Sequence, residues 1–432
     1  MAFAMQDKTK KLFNNGIWLL ALQAFNVLVP LLTIPYITRV LGAEQYGSFS
    51  LALNWIMYLQ VIVEYGFTLT GARKVAIIGD DHEKLQKCYS NILTSRLFLL
   101  AITCILLILI CVFAGGPNGI ATCLIFLFPI VIGTALQQTW LFQGKQDMKF
   151  ITLINAFART ISVGLIFLLI SGEGDTNLYC ILYSFTYIFS SVLGLLLSRL
   201  KFNLHVIMSS RENVVSELRD GWCLFTSAAM TQVFGGIGVT ILGMVEGTFE
   251  VGVYSAIYKI AYVMIMMGSA VGQAIYPHCS ILFSESCKKG FTFLKKFALR
   301  ILPVFASLSI LIIIFRYQLT NCLFGSEYID YSNLLIPFII WVFLSVLNNI
   351  LGIQMLVASG HQREYSLAFM FGVIASVLSN IGFGVAFKLY GIAFAGAFGE
   401  FILTLALLYM IHSLTKKVRR DEKNTTSVRD KA

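Results

Sequence analysis

The sequence predicts an all-α polytopic membrane protein: twelve transmembrane helices in two six-helix bundles, related by a parallel repeat, around a central cavity. Three observations predict it. The composition is too apolar for water, twelve apolar windows carry their flanking Lys and Arg on one side, and short motifs recur between the two halves.

The chain's 432 residues are 57% hydrophobic and 12% charged, with a mean hydropathy of +0.79. A soluble domain is about 45–50% apolar and about 25% charged. Half the usual charge cannot cover a water-soluble globule of this size, which excludes a soluble enzyme, a nucleic-acid binder and a disordered chain. The net charge of +10 then reads as basic cytoplasmic loops facing anionic lipid, with no nucleic-acid partner. Nine cysteines form no CxxC, and most lie in or beside apolar runs. They read as small buried apolar side chains, not as disulfides or metal ligands. The run behind Lys8, Lys10 and Lys11 is too long for a signal-peptide core and lacks a small-residue cleavage site, so it reads as a first span.

A membrane helix needs about 20 mostly apolar residues. The windows fall at 14–37, 47–69, 90–113, 119–142, 150–171, 178–198, 220–245, 251–275, 298–315, 333–356, 366–387 and 391–412. Turn residues separate several of them, at Gly115-Gly116-Pro117-Asn118 and at Ser171-Gly172-Glu173-Gly174-Asp175. With the N-terminus in the cytoplasm, 26 of the 32 Lys and Arg fall in cytoplasmic segments and three (Arg39, Arg316, Lys388) in outer ones. A wrong span count would scramble that asymmetry, so both termini are expected in the cytoplasm. The outer loops are too short to fold as domains, and the chemistry is expected between helices.

Shifted by 205 residues, Gly16 falls on Gly221, Ala24 on Ala229, Gly42 on Gly247, Gly47 on Gly252, and Phe49-Ser50 on Tyr254-Ser255. At a shift of 216, Gly144-Lys145-Gln146 meets Gly360-His361-Gln362. Glycine is common in membrane helices, but two matches at equivalent places favour a 6+6 duplication. Six is even, so both halves enter from the same side. Parallel repeats of this kind form two bundles that rock for alternating access. The expected division is an N-terminal half over 1–200, a cytoplasmic linker over 201–219, a C-terminal half over 220–412 and a basic tail over 413–432.

Asn15, Pro30, Pro35-Tyr36, Arg39-Val-Leu-Gly42 and Tyr46-Gly47 follow one another in and after span one. Glu64-Tyr-Gly-Phe67 stands near the end of span two with Arg73 after it, Trp140-Leu-Phe-Gln-Gly144 closes span four, and Leu351-Gly352-x-Gln354 precedes Gly360. This ordered set resembles the O-antigen flippases of the polysaccharide transporter family, in the multidrug/oligosaccharidyl-lipid/polysaccharide (MOP) flippase superfamily. The resemblance covers roughly the whole chain and is strongest over 14–160. It implies a non-enzymatic carrier that moves undecaprenyl-diphosphate-linked oligosaccharide units from the cytoplasmic to the periplasmic leaflet of a bacterial inner membrane. It further implies delivery to an O-antigen polymerase and its chain-length regulator.

Charges within the spans are few, and each costs about 2.5–3.5 kcal/mol at mid-bilayer even on lenient scales. Arg159 lies mid-span five, where a guanidinium fork suits a diphosphate; the alternative is an Arg satisfied by carbonyls or a structural carboxylate. Arg96 and Lys259, each about two turns from a membrane face, would complete a cationic lumen, with snorkelling as their alternative. Glu64 is a candidate gate or a structural ion pair with Arg73. Glu400, mid-span twelve, could carry a coupling proton or pair with a lumen cation, and Glu246 is expected to be solvated at a rim. Pro30 and Pro35 are candidate kinks in span one. Gln23, Asn26 and Thr33 in span one and Thr226, Ser227, Thr231 and Gln232 in span seven could meet sugar hydroxyls, although interhelical bonding is the commoner use.

No P-loop, GxSxG, HExxH or dinucleotide fingerprint stands in a suitable context, and no cofactor or metal is expected. An ion gradient is therefore the expected drive. A multidrug cation antiporter would want an acidic residue in span one, and there is none. A cell-wall lipid-intermediate flippase shares the diphosphate-sugar chemistry and stays open. A membrane glycosyltransferase or polymerase would need a larger outer loop.

Overall fold

A membrane interior offers no water to backbone N–H and C=O groups, so a chain this apolar must close its hydrogen bonds within helices. In a computed structural model, all regular structure among the described residues is helical. The structure describes residues 2–114 and 120–429, with side chains at Trp18, Phe25, Val29, Pro30, 32–112, 120–414 and Lys416. The turn expected at Gly115–Asn118, the side chains of Asn15, Gln23 and Asn26, the N-terminal lysines and the tail side chains beyond Lys416 lie outside them.

Ten helical stretches among the described residues are long and apolar enough to cross a membrane. Two helical runs contain a break. Ala2–Glu64 is interrupted at Gly42 (φ 75, ψ 170), and Gln362–Arg429 at Lys388 (φ 55, ψ −135). Dividing the runs there separates span one from two and eleven from twelve, and twelve spans result. Gly42 and its repeat Gly247 (φ 130) both take positive φ at a turn between spans, a region open mainly to glycine. Pro30 and Pro35 stay inside the helical run.

Several elements depart from simple rods. Span two ends at a left-handed pair, Tyr65 (φ 47) and Gly66 (φ 78), before a short helix Phe67–Ile78. Span four is three pieces, Ile120–Leu127, Pro129–Leu136 and Thr139–Gly144. Span nine is longer than expected: Cys287–Ile314 begins among Lys288 and Lys289, so this basic stretch is helix, not loop. Span ten passes from α-helix, Leu335–Asn348, into a π-helix, Asn349–Val357.

Two compact units emerge, Met1–Gly236 with Thr248–Gly252, and Ile237–Gly247 with Val253–Ala432. In the first, Phe49 packs on Tyr179 and Tyr183 (ring centroids 4.5 and 5.3 Å). In the second, Tyr258 stacks on Trp341 (5.0 Å), and Tyr254 meets Phe338 edge-on. Isoleucine and leucine face outward instead, as at Ile105, Ile108 and Leu109 of span three and Ile310, Leu311 and Ile314 of span nine. That inversion suits a lipid surround. Cys88, Cys123, Cys180 and Cys279 are buried as expected, but Cys223, Cys287 and Cys322 are exposed.

Candidate functional site

The break in span four organises the first polar cluster. Gln137 is extended (φ −70, ψ 134) and ends the helix Pro129–Leu136, its N–H still donating back to the Thr134 carbonyl (3.3 Å). Arg96, on the helix His82–Ala114, reaches the break: its Nη1 donates to the carbonyls of Gln137 (2.7 Å) and Thr134 (3.3 Å). The residue is 2% exposed, and its guanidinium lies 5.9 Å from the Phe67 ring centroid. The Arg96 guanidinium is thus engaged by backbone, while its Nε has no acceptor.

Glu64 accepts a hydrogen bond from Thr68 Oγ1 (3.0 Å), and its field reaches Arg96. No ion pair joins Glu64 to Arg73, which is exposed. The neighbouring Lys74 is the engaged cation, bridging Glu217 (2.8 Å) and Asp220 (2.9 Å).

Arg159 sits on the helix Met148–Leu169, half-buried, one turn beyond Asn155. It forms no ion pair or hydrogen bond with a described residue. Lys259, in the second unit, is also half-buried and meets no described carboxylate; its Nζ lies 5.5 Å from the Tyr262 ring centroid. Two intramembrane cations are therefore without a neutralising carboxylate among the described residues, one in each unit.

Glu400 is 6% exposed and held by neutral donors. Trp341 Nε1 donates to one carboxylate oxygen (3.1 Å) and Asn348 Nδ2 to the other (2.6 Å). Thr404 Oγ1 in turn donates to Asn348 Oδ1 (2.8 Å), fixing the amide's orientation. No described Lys or Arg forms an ion pair with Glu400. Glu246 is not solvated as expected. It pairs with Lys388 (3.3 Å) and accepts the Leu389 N–H (2.8 Å), because the turn between spans eleven and twelve folds back onto it.

In span seven, Ser227 and Thr231 are exposed and Thr226 half-buried, and each hydroxyl donates to a carbonyl of its own helix. Their oxygens keep acceptor capacity. Thr33 is buried and bonded to the Val29 carbonyl, and Trp140 is core.

Sequence reasoning missed a matched pair. The 216-residue shift that aligns Gly144 with Gly360 also aligns Gln138 with Gln354. Both are 1% exposed, both donate through Nε2 to a backbone carbonyl (Leu136 at 2.9 Å, Gly272 at 3.0 Å), and both leave Oε1 without a partner. Each stands where its span leaves regular helix. Gln354 also lines a cavity of about 10 Å³, the space of roughly one water. Extending the repeat by six residues would have found them. Among the described residues, no three His, Cys, Asp or Glu gather as a metal site.

A family model described as "Polysaccharide biosynthesis protein" matches residues 12–283. A protein of Escherichia coli (strain K12) named "Putative O-antigen transporter" is 26% identical over 409 residues, covering 95% of this chain and 99% of that protein. A Shigella dysenteriae protein of the same name is 26% identical over 408 residues, 91% and 98% of the two chains. Among solved structures, the fold is shared with the lipid II flippase MurJ in an inward closed conformation (TM-score 0.66, 12% identity, 93% of this chain and 87% of that one). It is equally shared with an inward-facing MATE family multidrug resistance transporter of the MOP superfamily (TM-score 0.66, 15% identity, 90% and 95%). At such identities the likeness is one of fold.

Proposed function

The chain belongs to the polysaccharide biosynthesis protein family, and on that premise we propose that it is a flippase for lipid-linked polysaccharide units. Its substrate is an undecaprenyl-diphosphate-linked O-antigen or related repeat unit. It carries that unit from the cytoplasmic to the periplasmic leaflet of a bacterial inner membrane by alternating access, drawing on an ion gradient. The twelve-span membrane fold is common to transporters named for lipid II and for drugs, so the fold alone does not choose the cargo.

The observation that carries the choice is Arg159, a guanidinium in the middle of a membrane span that meets no carboxylate among the described residues. A permanent charge there is costly, and a diphosphate would repay it with several acceptor oxygens in fork geometry. Lys259 offers a second ammonium, and the hydroxyls of Ser227 and Thr231 suit sugars. Arg96 is assigned to holding the span-four break, one step removed from the head group. Glu64 and Arg73 belong to gating and Glu400 to coupling, with Pro30 and Pro35 as hinges of span one. A drug-cation antiporter is disfavoured because Arg159 and Lys259 meet no described carboxylate and span one carries no acidic residue.

The proposed architecture is two six-helix halves, 1–200 and 220–412, joined by the linker 201–219. Both termini are cytoplasmic, with a basic tail over 413–432. An O-antigen polymerase and its chain-length regulator receive the product.

The test is complementation in a deletion strain, read as the lipopolysaccharide ladder, with wild type and Arg159→Ala at matched membrane abundance. Deletion is expected to abolish the ladder, and Arg159→Ala to fail to restore it. A ladder that survives deletion overturns the polysaccharide reading. A mutant that restores it fully removes Arg159 from the site.

A further inference from the structure

Spans two and seven lie against each other within the first unit, and their contact changes character along its length. Beside the turn between spans one and two, the start of span two packs instead on the start of span eight, backbone on backbone, where Gly47 and Gly252 meet. Midway, Asn54 Nδ2 donates to the Gly236 carbonyl (3.1 Å). At the other end, expected to face the cytoplasm, Tyr65 stacks on Phe225 (4.5 Å, 8° between planes) and Gly66 leaves room for Leu224. Beyond them Lys74 Nζ spans Glu217 Oε2 (2.8 Å) and Asp220 Oδ2 (2.9 Å).

The last contact is built for exchange. Glu217 and Asp220 stand three residues apart, on one face of the helix Arg211–Val245. Glu217 is 6% exposed, whereas the Lys74 side chain keeps 31% and Asp220 51% of their surface. The Lys74 ammonium is thus reachable from solvent. Arg73 and Arg219, beside the cluster in sequence, are exposed and attract anions towards it. A diphosphate presents more charge and more acceptor oxygens than a carboxylate, so it competes for an ammonium on favourable terms.

We infer that Lys74, Glu217 and Asp220 form an ionic latch closing the inner end of the contact between spans two and seven, and that an incoming lipid diphosphate opens it by taking over the Lys74 ammonium. The inference rests on the proposed substrate chemistry. It assigns the diphosphate a first docking group before Arg159.

Cys88 reports on the latch. It is 7% exposed and lies close enough to feel the charges of both Glu217 and Lys74. In a protein keeping Cys88 as its sole cysteine, reconstituted in vesicles, labelling by a membrane-impermeant maleimide is measured with polyprenyl diphosphate or polyprenyl alcohol in the bilayer. Diphosphate lipid is expected to raise the labelling rate about tenfold over the alcohol, and Lys74→Gln to abolish that difference. Equal labelling with both lipids overturns the proposal, as does a full response in Lys74→Gln.

A second measurement replaces the ion pair with a covalent bridge: Lys74→Cys with Glu217→Cys, joined through two disulfides by a short bis-methanethiosulfonate in an otherwise cysteine-free protein. Transport is expected to stop on cross-linking and to return with reductant. Unimpaired transport by the cross-linked protein overturns the latch, because a merely structural pair tolerates a permanent bridge. The two readings fail separately. If wild type gives no O-antigen ladder while Cys88 still responds to diphosphate lipid, the transport assignment falls and the latch stands.

Discussion

Gly47 and Gly252 exchange contacts symmetrically. A Cβ on Gly47 would lie 1.7 Å from the carbonyl oxygen of Thr248, and a Cβ on Gly252 would lie 1.8 Å from that of Ala43. The 205-residue shift that carries Gly47 onto Gly252 also carries Ala43 onto Thr248. Each glycine therefore meets the residue four places ahead of the other, as in an isologous interface within one chain. The repeated G-x4-G motif is thus a contact surface that binds its own copy.

Alanine at either position cannot be seated without moving a backbone. Gly47→Ala and Gly252→Ala are each expected to destabilise the protein by about 1–3 kcal/mol, read by thermal melting in detergent. Both push the same contact apart, so the double variant is expected to cost less than the sum of the singles. Strict additivity would mean that the two glycines do not share one contact.

Arg96→Ala removes a charged donor from the Gln137 and Thr134 carbonyls and opens a buried space. A loss of about 1.5–3 kcal/mol is expected for charge-assisted bonds of this kind, again by melting. Substrate binding by protein that remains folded should be nearly unchanged. A variant that melts like wild type but no longer binds polyprenyl diphosphate would move Arg96 back to the head-group site.

Glu400→Gln exchanges a carboxylate with two acceptor oxygens for an amide with one, so either Trp341 Nε1 or Asn348 Nδ2 faces another donor. The expected cost is about 1–3 kcal/mol for the unsatisfied group. If Glu400 carries the coupling proton, the variant also loses the pH dependence of transport into vesicles. A pH profile that follows wild type would leave Glu400 a structural residue.

The turn between spans eleven and twelve yields two substitutions of opposite sign. Lys388 holds φ 55 with ψ −135, a conformation that suits glycine, and its side chain is largely exposed. Lys388→Gly is expected to stabilise by about 1 kcal/mol as that strain is relieved. Glu246→Ala, which orphans the Leu389 N–H, is expected to cost about 0.5–2 kcal/mol, as the loss of a helix cap does. Both are read by melting.

By itself the sequence determined that the chain spans a membrane many times, because backbone satisfaction in lipid demands apolar helices of a set length. It also showed where the breaks between most helices fall, since Gly42, Gly247 and the Ser171–Asp175 turn carry their own conformational signals. It singled out Arg159 and Lys259, whose formal charge is visible in an apolar window whatever surrounds them. What it could not decide was which charges are already engaged. Arg96 looked like Arg159 until the break at Gln137 supplied carbonyls to it. Glu246 looked solvated until Leu389 and Lys388 folded back onto it. Lys74 was one loop lysine among several until Glu217, 143 residues away, met it. Spacing records period and length, whereas the partner of a charge lies on another helix. Only packing brings the two within the few ångströms over which a hydrogen bond or ion pair acts.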